Sequence, residues 1–324
     1  MEKNNRLIHI DYLRSFGMIL IIMGHIHFSE GFDHYIHAFH VPLFFFISGF
    51  FFKTGKYDLK NFVIKKTKGL LIPYFLWAVI YEIIALFFNK QNWSGIIWNN
   101  TVLVPIGGAL WFLTALFFVE IIGFLILGFR KNSVRILLSL LIVSFGMFHF
   151  VHLPFSIDAA LVALGFWITG YFYNTFILAK LSAKNINIFF IAILIAVNAI
   201  IIIFSPNVNM KNCVFGNVFL FWFNSLLAIL IFLQFFQWLH QKTDFKNTKF
   251  SGFFIQIGIN TIVFLLAHQL IIQIIKLALD KCGIDLYTSN VFIKTSSLLI
   301  ILIVCHTMSI FLKKKPFSIL LGKF

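Results

Sequence analysis

The sequence predicts an all-α, polytopic integral membrane protein of about ten transmembrane helices with both termini cytoplasmic. Three observations carry that expectation. Apolar residues make up 60% of the 324 residues and charged residues only 11%, with a mean hydropathy of +0.94, whereas soluble domains carry about 25% charged residues. Apolar runs approaching the roughly 20 helical residues that a bilayer core about 30 Å thick demands recur along the whole chain. The Lys and Arg residues, finally, alternate between the segments that join those runs. A formal charge of +15 otherwise suggests nucleic acid, but its residues form short clusters and not one stripe, so the expected partner is the lipid bilayer and no nucleic acid.

The expected spans are 12–30, 35–52, 69–88, 107–129, 136–152, 158–178, 186–204, 217–239, 252–275 and 289–312. Lys3 and Arg6 precede the apolar run Phe16 to Ile26, as in a secretory leader, but no small-residue cleavage site follows, so the run reads as an uncleaved first helix. The second span opens on His40 and Pro42, tolerated in a first turn that lacks internal N–H partners. The third follows the six lysines between Lys53 and Lys68, the fourth carries Trp111 and Glu120, and the sixth opens on Asp158. The ninth contains His268, and Lys313, Lys314 and Lys315 close the tenth.

All but five of the 26 Lys and Arg residues fall in the expected inner segments, which hold Lys3, Arg6 and Arg14, then Lys53 to Lys68, Arg130, Lys131 and Arg135, Lys180 and Lys184, Lys242, Lys246 and Lys249, and the final Lys313 to Lys323. Lys90, Lys211, Lys276, Lys281 and Lys294 remain outside. The polar stretches near 53–68, 89–106 and 240–251 are too short for a soluble core and no repeat is visible, so residues 1–324 read as a single membrane-embedded domain. The 45 Phe residues read as lipid-facing and packing side chains, and Cys213, Cys282 and Cys305 share no ligand spacing.

A charged group at bilayer depth costs at least ~2.5–3.5 kcal/mol, so each one asks for a partner or a task. The first helix holds the densest set. Arg14 and His25 are eleven positions apart, which is three turns plus roughly 20°, so both project from one face about 16 Å apart along the axis. Direct contact is excluded in a regular helix, while one long ligand lying along that face fits. Asp11, three residues before Arg14, is placed to pair with it. Arg14 has a plainer use as a snorkelling anchor in the headgroups, and His25 as a hydrogen-bonded packing histidine.

Five of the eleven histidines, His25, His27, His34, His37 and His40, lie on the first hairpin. No carboxylate or cysteine spacing accompanies them, so no metal is expected; a polar cavity opening outward, with one histidine as proton acceptor, is. Trp111, Glu120 and His268 are supporting or acceptor-side candidates, with helix packing as the alternative for Glu120. Lys65 and Lys68 lie in a basic cluster where a phosphate-bearing cytosolic ligand would arrive, and topology with anionic-lipid attraction is the alternative.

Several segments together resemble a known family. They are Ile10-Asp11-Tyr12-Leu13-Arg14 leading to Gly24-His25, Phe39 to Gly49 reading FHVPLFFFISG, Leu70 to Trp77 reading LLIPYFLW, Leu110 to Leu113 reading LWFL, and Gly258 to His268 reading GINTIVFLLAH. In this order, over nearly the full chain, they are similar to acyltransferase family 3, the multi-pass membrane O-acyltransferases of envelope carbohydrates, including fucose 4-O-acetylase-like proteins. The resemblance implies an O-acetyltransferase or related transferase of the bacterial cytoplasmic membrane. Its donor would be cytosolic acyl-CoA, usually acetyl-CoA, with no permanently bound cofactor, and its acceptor a hydroxyl of a cell-envelope or exported carbohydrate. It implies His25 as the catalytic histidine, Arg14 as its companion, and Lys65 and Lys68 where the family often carries paired arginines; lysine keeps the charge and loses the bidentate fork. Direct transfer and a transient acyl-histidine are both open. Glycan-assembly proteins or a homo-oligomer are compatible partners. No appended extracytoplasmic hydrolase-like domain is expected, as in shorter members.

The competing reading is a non-catalytic exporter or flippase of a polysaccharide or lipid-linked sugar, since a polar cavity in a helical bundle also serves transport. Paired interrupted helices in corresponding halves, which would favour it, are not visible in the sequence.

Overall fold

The structure, a computed structural model, describes residues 6–99, 104–148, 152–177, 188–241 and 248–324. Among them the regular elements are all helical, apart from one isolated antiparallel bridge between Asn209 and Val214. Lys3, Lys180, Lys184, Lys242 and Lys246 of the expected basic segments lie outside the described residues, as do 149–151, 178, 186 and 187 of the expected spans.

The α-helices in chain order are α1 (Ile8–Ile26), α2 (Glu30–His37), α3 (His40–Phe50), α4 (Leu59–Lys66), α5 (Ile72–Leu86), α6 (Trp111–Leu127), α7 (Asn132–Phe148), α8 (Ile157–Phe172), α9 (Ile188–Ile203), α10 (Val218–Gln241), α11 (Lys249–Ile259), α12 (Thr261–Asp280) and α13 (Val291–Leu312). Five continuous helical stretches are long and apolar enough to cross a membrane: Leu59–Leu86, Pro154–Phe176, Val218–Gln241, Thr261–Asp280 and Val291–Leu312. The helices α6, α7 and α9 are apolar and shorter.

Three boundaries depart from the expected spans, each for a physical reason. The expected second span is broken at Ala38 and Phe39 into α2 and α3, and α2 is capped by Ser29, whose hydroxyl accepts from the Phe32 N–H. The third helix starts ten residues earlier than expected, at Leu59, because lysines are good helix formers and their charge does not end a helix. It runs through one wide π turn, Thr67–Leu71, into α5. Pro73 lies at the start of α5; it has no N–H for the Gly69 carbonyl, and a widened turn relieves that missing bond. The expected ninth span is two helices, α11 and α12, parted at Asn260, whose side-chain amide bonds back to the Gln256 carbonyl at 2.7 Å and competes with the backbone ladder.

Two helices organise the packing. Helix α8 touches α3, α6 and α7, and α1 touches α3, α10, α11, α12 and the start of the α2 hairpin. The α3–α8 contact is a reciprocal glycine seam: a Cβ on Gly49 would drive into the Trp167 carbonyl, and one on Gly170 into the Phe46 carbonyl. Small residues allow such backbone approach where apolar burial alone gives no preference for protein over lipid. Helix α11 meets α1 in the same way, with Gly258 against the Asp11 carbonyl. Ser15 secures this contact by donating its hydroxyl to the carbonyls of Asp11, at 2.8 Å, and Phe254.

Gly49→Ala is therefore expected to cost about 1–3 kcal/mol through overpacking. Gly252→Ala, whose Cβ meets open space on α11, should leave stability unchanged or raise it. Thermal melts of the two variants in detergent, followed by circular dichroism, check both outcomes.

Candidate active site

One face of α1 carries Arg14, Met18, Ile21, Gly24 and His25 to two abutting cavities. The first, of about 240 Å³, is lined by Arg14, Met18, Ile21, Phe44, Leu70 and Gly258 among others. The second, of about 430 Å³, is lined by His25, His37, His40, Trp111, Lys211 and Gln269 among others. Ile21 of α1, Phe112 of α6 and Leu265 of α12 line both, so the cavities share an apolar wall. The face is the one expected from the eleven-residue spacing.

His25 occupies the last turn of α1, and its surroundings hold it there. His27 closes the helix in the left-handed conformation with φ 57°. The Lys294 ammonium of α13 donates to the His27 carbonyl at 2.5 Å, so a cation meets the negative end of the helix. Gln269 of α12 accepts from the Ala109 N–H at 2.8 Å, which turns its amide N–H₂ toward the imidazole; that nitrogen lies 3.4 and 3.5 Å from the two ring nitrogens of His25. The His268 ring centre is 5.1 Å from that of His25. Nδ1 of His268 faces the Phe264 carbonyl at 2.8 Å and must donate to it, which leaves Nε2 as an acceptor, buried and without a hydrogen-bond partner. His37 and His40 lie edge to face with centres 5.0 Å apart, and each Nδ1 is anchored to a backbone carbonyl of α2, at 2.6 and 2.5 Å. The wall also contains Ile106, a β-branched residue with φ 65°, a backbone conformation that needs support from its surroundings.

At the opposite end of α1 lies an open basin of about 1130 Å³, lined by Lys56, Tyr57, Lys65, Lys68, Gly69 and Lys323 among others. Gly69 borders the basin and Leu70 the Arg14 cavity, so the π turn forms the threshold between them. The Lys65 ammonium donates to the Tyr57 hydroxyl at 2.9 Å, and this bond pulls the phenol below its ordinary range. Lys68 lies over the Phe324 ring at 5.4 Å.

Residues 7–310 match a family profile described as an acyltransferase domain. The chain belongs to acyltransferase family 3. No curated protein and no solved structure matches it. With its apolar helices, it is a membrane acyltransferase.

In this acyltransferase the expected site residues other than Glu120 fall into three groups. His25, His40 and Trp111 share the larger cavity, and His268 packs on His25 from behind. Arg14 lines the smaller cavity with its guanidinium 4.8 Å from the Phe51 ring centre. Asp11 stands 3.9 Å from it, but its closer partner is Arg6, at 2.5 Å, so Asp11 serves the helix start more than the Arg14 rotamer. Lys65 and Lys68 line the basin. Glu120 reaches neither cavity; buried on α6, it binds the Lys66 ammonium at 2.8 Å and the Ser48 hydroxyl. Lys66, between two basin lysines, is thus turned inward by the helical rotation.

Gln269, Lys294 and Lys66 are contributions that sequence reasoning missed. Gln269 is adjacent to His268 in a recognisable motif, which is the one signal that pointed near it. Among the described residues no group of three or more His, Cys, Asp or Glu side chains is arranged to hold a metal ion.

The Lys66–Glu120 pair yields a stability test. Lys66→Met alone leaves a buried carboxylate without its cation and should cost on the order of 3 kcal/mol, whereas Lys66→Met combined with Glu120→Gln should recover most of that loss. Thermal unfolding of the single and double variants in detergent measures the difference.

Proposed function

We propose that this acyltransferase moves an acyl group, acetyl in the first instance, from cytosolic acyl-CoA to a hydroxyl of a cell-envelope or exported carbohydrate. The observation that carries the reading is the single face of α1 that borders two abutting cavities, the smaller one next to a lysine-lined basin and the larger one a histidine-lined chamber. Nucleotide phosphates rest on Lys65, Lys68 and their neighbours, which supply point charges suited to phosphate. The pantetheine arm passes the π-turn threshold and Arg14, and the thioester passes the shared wall of Ile21, Phe112 and Leu265 to reach His25.

There one nitrogen of His25 takes the acceptor hydroxyl's proton as that oxygen attacks the thioester carbonyl. The C–S bond breaks, the new C–O ester bond forms, and the imidazolium returns the proton to the departing thiolate. His268, packed against the His25 ring, and the Gln269 side chain, fixed by the Ala109 N–H, hold the imidazole in place. Trp111 and His40 shape the space for the sugar.

In this reading the basic end faces the cytosol, in keeping with the positive-inside distribution of Lys and Arg. The chain crosses the bacterial cytoplasmic membrane ten times, with α2–α3, α4–α5 and α11–α12 each forming one pass, and both termini are cytoplasmic. The whole chain works as one membrane-embedded domain.

With the full chain in nanodiscs and labelled acetyl-CoA, His25→Ala should lower transfer at least ~10²-fold while retaining donor binding. Arg14→Ala should raise the KM for acetyl-CoA about tenfold through loss of a charged contact. Unchanged turnover in His25→Ala would sink the mechanism. Sugar that crosses vesicles undiminished in that variant, with no label transferred, would identify an exporter instead.

A further inference from the structure

Acyl transfer to a carbohydrate leaves the charge of that carbohydrate open, and the larger cavity bears on it. Its wall carries His25, His37, His40 and Lys211 and, among the described residues, no Asp or Glu. We propose that the outer part of this cavity binds an anionic group of the acceptor, a carboxylate or a phosphate, with Lys211 as its counter-ion. The inference rests on the acyl-transfer reading and names the acceptor's class within it.

Lys211 lies on the loop between α9 and α10, held by the Asn209–Val214 bridge with backbone bonds of 2.7 and 2.9 Å. Its neighbour Asn212 donates its backbone N–H to the Asn209 side chain at 3.2 Å. The ammonium therefore stands on a pinned hairpin and not on a free tail. Burial pulls Lys211 down to about 8, and among the described residues no carboxylate offsets that cost. A half-buried cation facing a cavity without a counter-charge calls for one from outside.

Several charges at this end already have partners: the buried Asp158, close enough to act on the Cys213 thiol, pairs with His152 at 3.1 Å. Asp33 pairs with His27 at 3.3 Å, and Asp285 accepts from the Tyr287 N–H at 3.1 Å and the Thr288 hydroxyl at 3.3 Å. Lys276 lies over the Tyr287 ring at 4.6 Å, and Lys294 caps α1. Asn209, Gln273 and Tyr287 line the same cavity and offer neutral polar groups to sugar hydroxyls.

The test uses the full chain in nanodiscs and three probes that differ in one group: octyl glucoside, octyl glucuronide and octyl glucoside 6-phosphate. Calorimetric titration should give at least about tenfold tighter binding of one or both anionic probes than of octyl glucoside, and that preference should shrink as salt rises. Lys211→Met should bring the ratio to about one and Lys211→Arg should keep it; the ranking of the two anions tells carboxylate from phosphate. Equal affinities in the natural chain, a salt-independent preference, or a preference that survives Lys211→Met would overturn the inference. Label transfer from acetyl-CoA in the same preparation separates the two readings. Transfer without anion preference removes the Lys211 site and leaves acyl transfer, while anion-selective binding with no transfer to any probe does the reverse.

Discussion

A regular α-helix lifts residues eleven positions apart by about 16 Å and returns them to nearly the same bearing. In this chain that rule places a guanidinium and an imidazole at the two ends of one stripe on α1, with Met18 and Ile21 between them. Only a long ligand reaches both groups, and the two cavities lie along the face between them. Shortening or bending α1 would misplace one end relative to the other, so the helix is a ruler as well as a wall.

Keeping such a ruler straight inside a bundle takes contacts that apolar side chains alone do not provide. Gly258 lets α11 lie directly on α1, Ser15 ties the two backbones together, and Lys294 caps the far end. The glycine seam between α3 and α8 does the same for the neighbouring layer. Each is a polar or close backbone contact, which is what distinguishes protein from lipid as a packing partner. Their combined effect is that the costly polar groups of α1 face protein-lined space.

Much of this was legible in the sequence because helix periodicity is local. The spacing of Arg14 and His25 and the helical class follow from residues near one another in the chain, whereas the site segments of α3, α5, α6 and α12 stand out through the family resemblance. What the sequence hid was local competition and distant partnership. Asn260 breaks the expected ninth span because its side chain bonds to Gln256, and the lysines before Pro73 continue a helix instead of forming a loop. Glu120 was read from its depth alone; only the fold shows that its cation is Lys66, from a helix more than fifty residues away. Gln269 is uninformative until the Ala109 N–H fixes its amide. The expected Asp11–Arg14 pair was right in spacing and incomplete in partner, since Arg6 reaches the same carboxylate more closely.

The three apolar side chains that the two cavities share, Ile21, Phe112 and Leu265, have a consequence for the cell as well as for the substrate. A protein that lies open to water on both sides of a bilayer is a short circuit unless something interrupts the wet column. Three hydrocarbon side chains offer no hydrogen bond to a file of water, and apolar constrictions empty of liquid. In the proposed reaction the acyl group would pass these side chains, and the same hydrocarbon that admits it would keep water out.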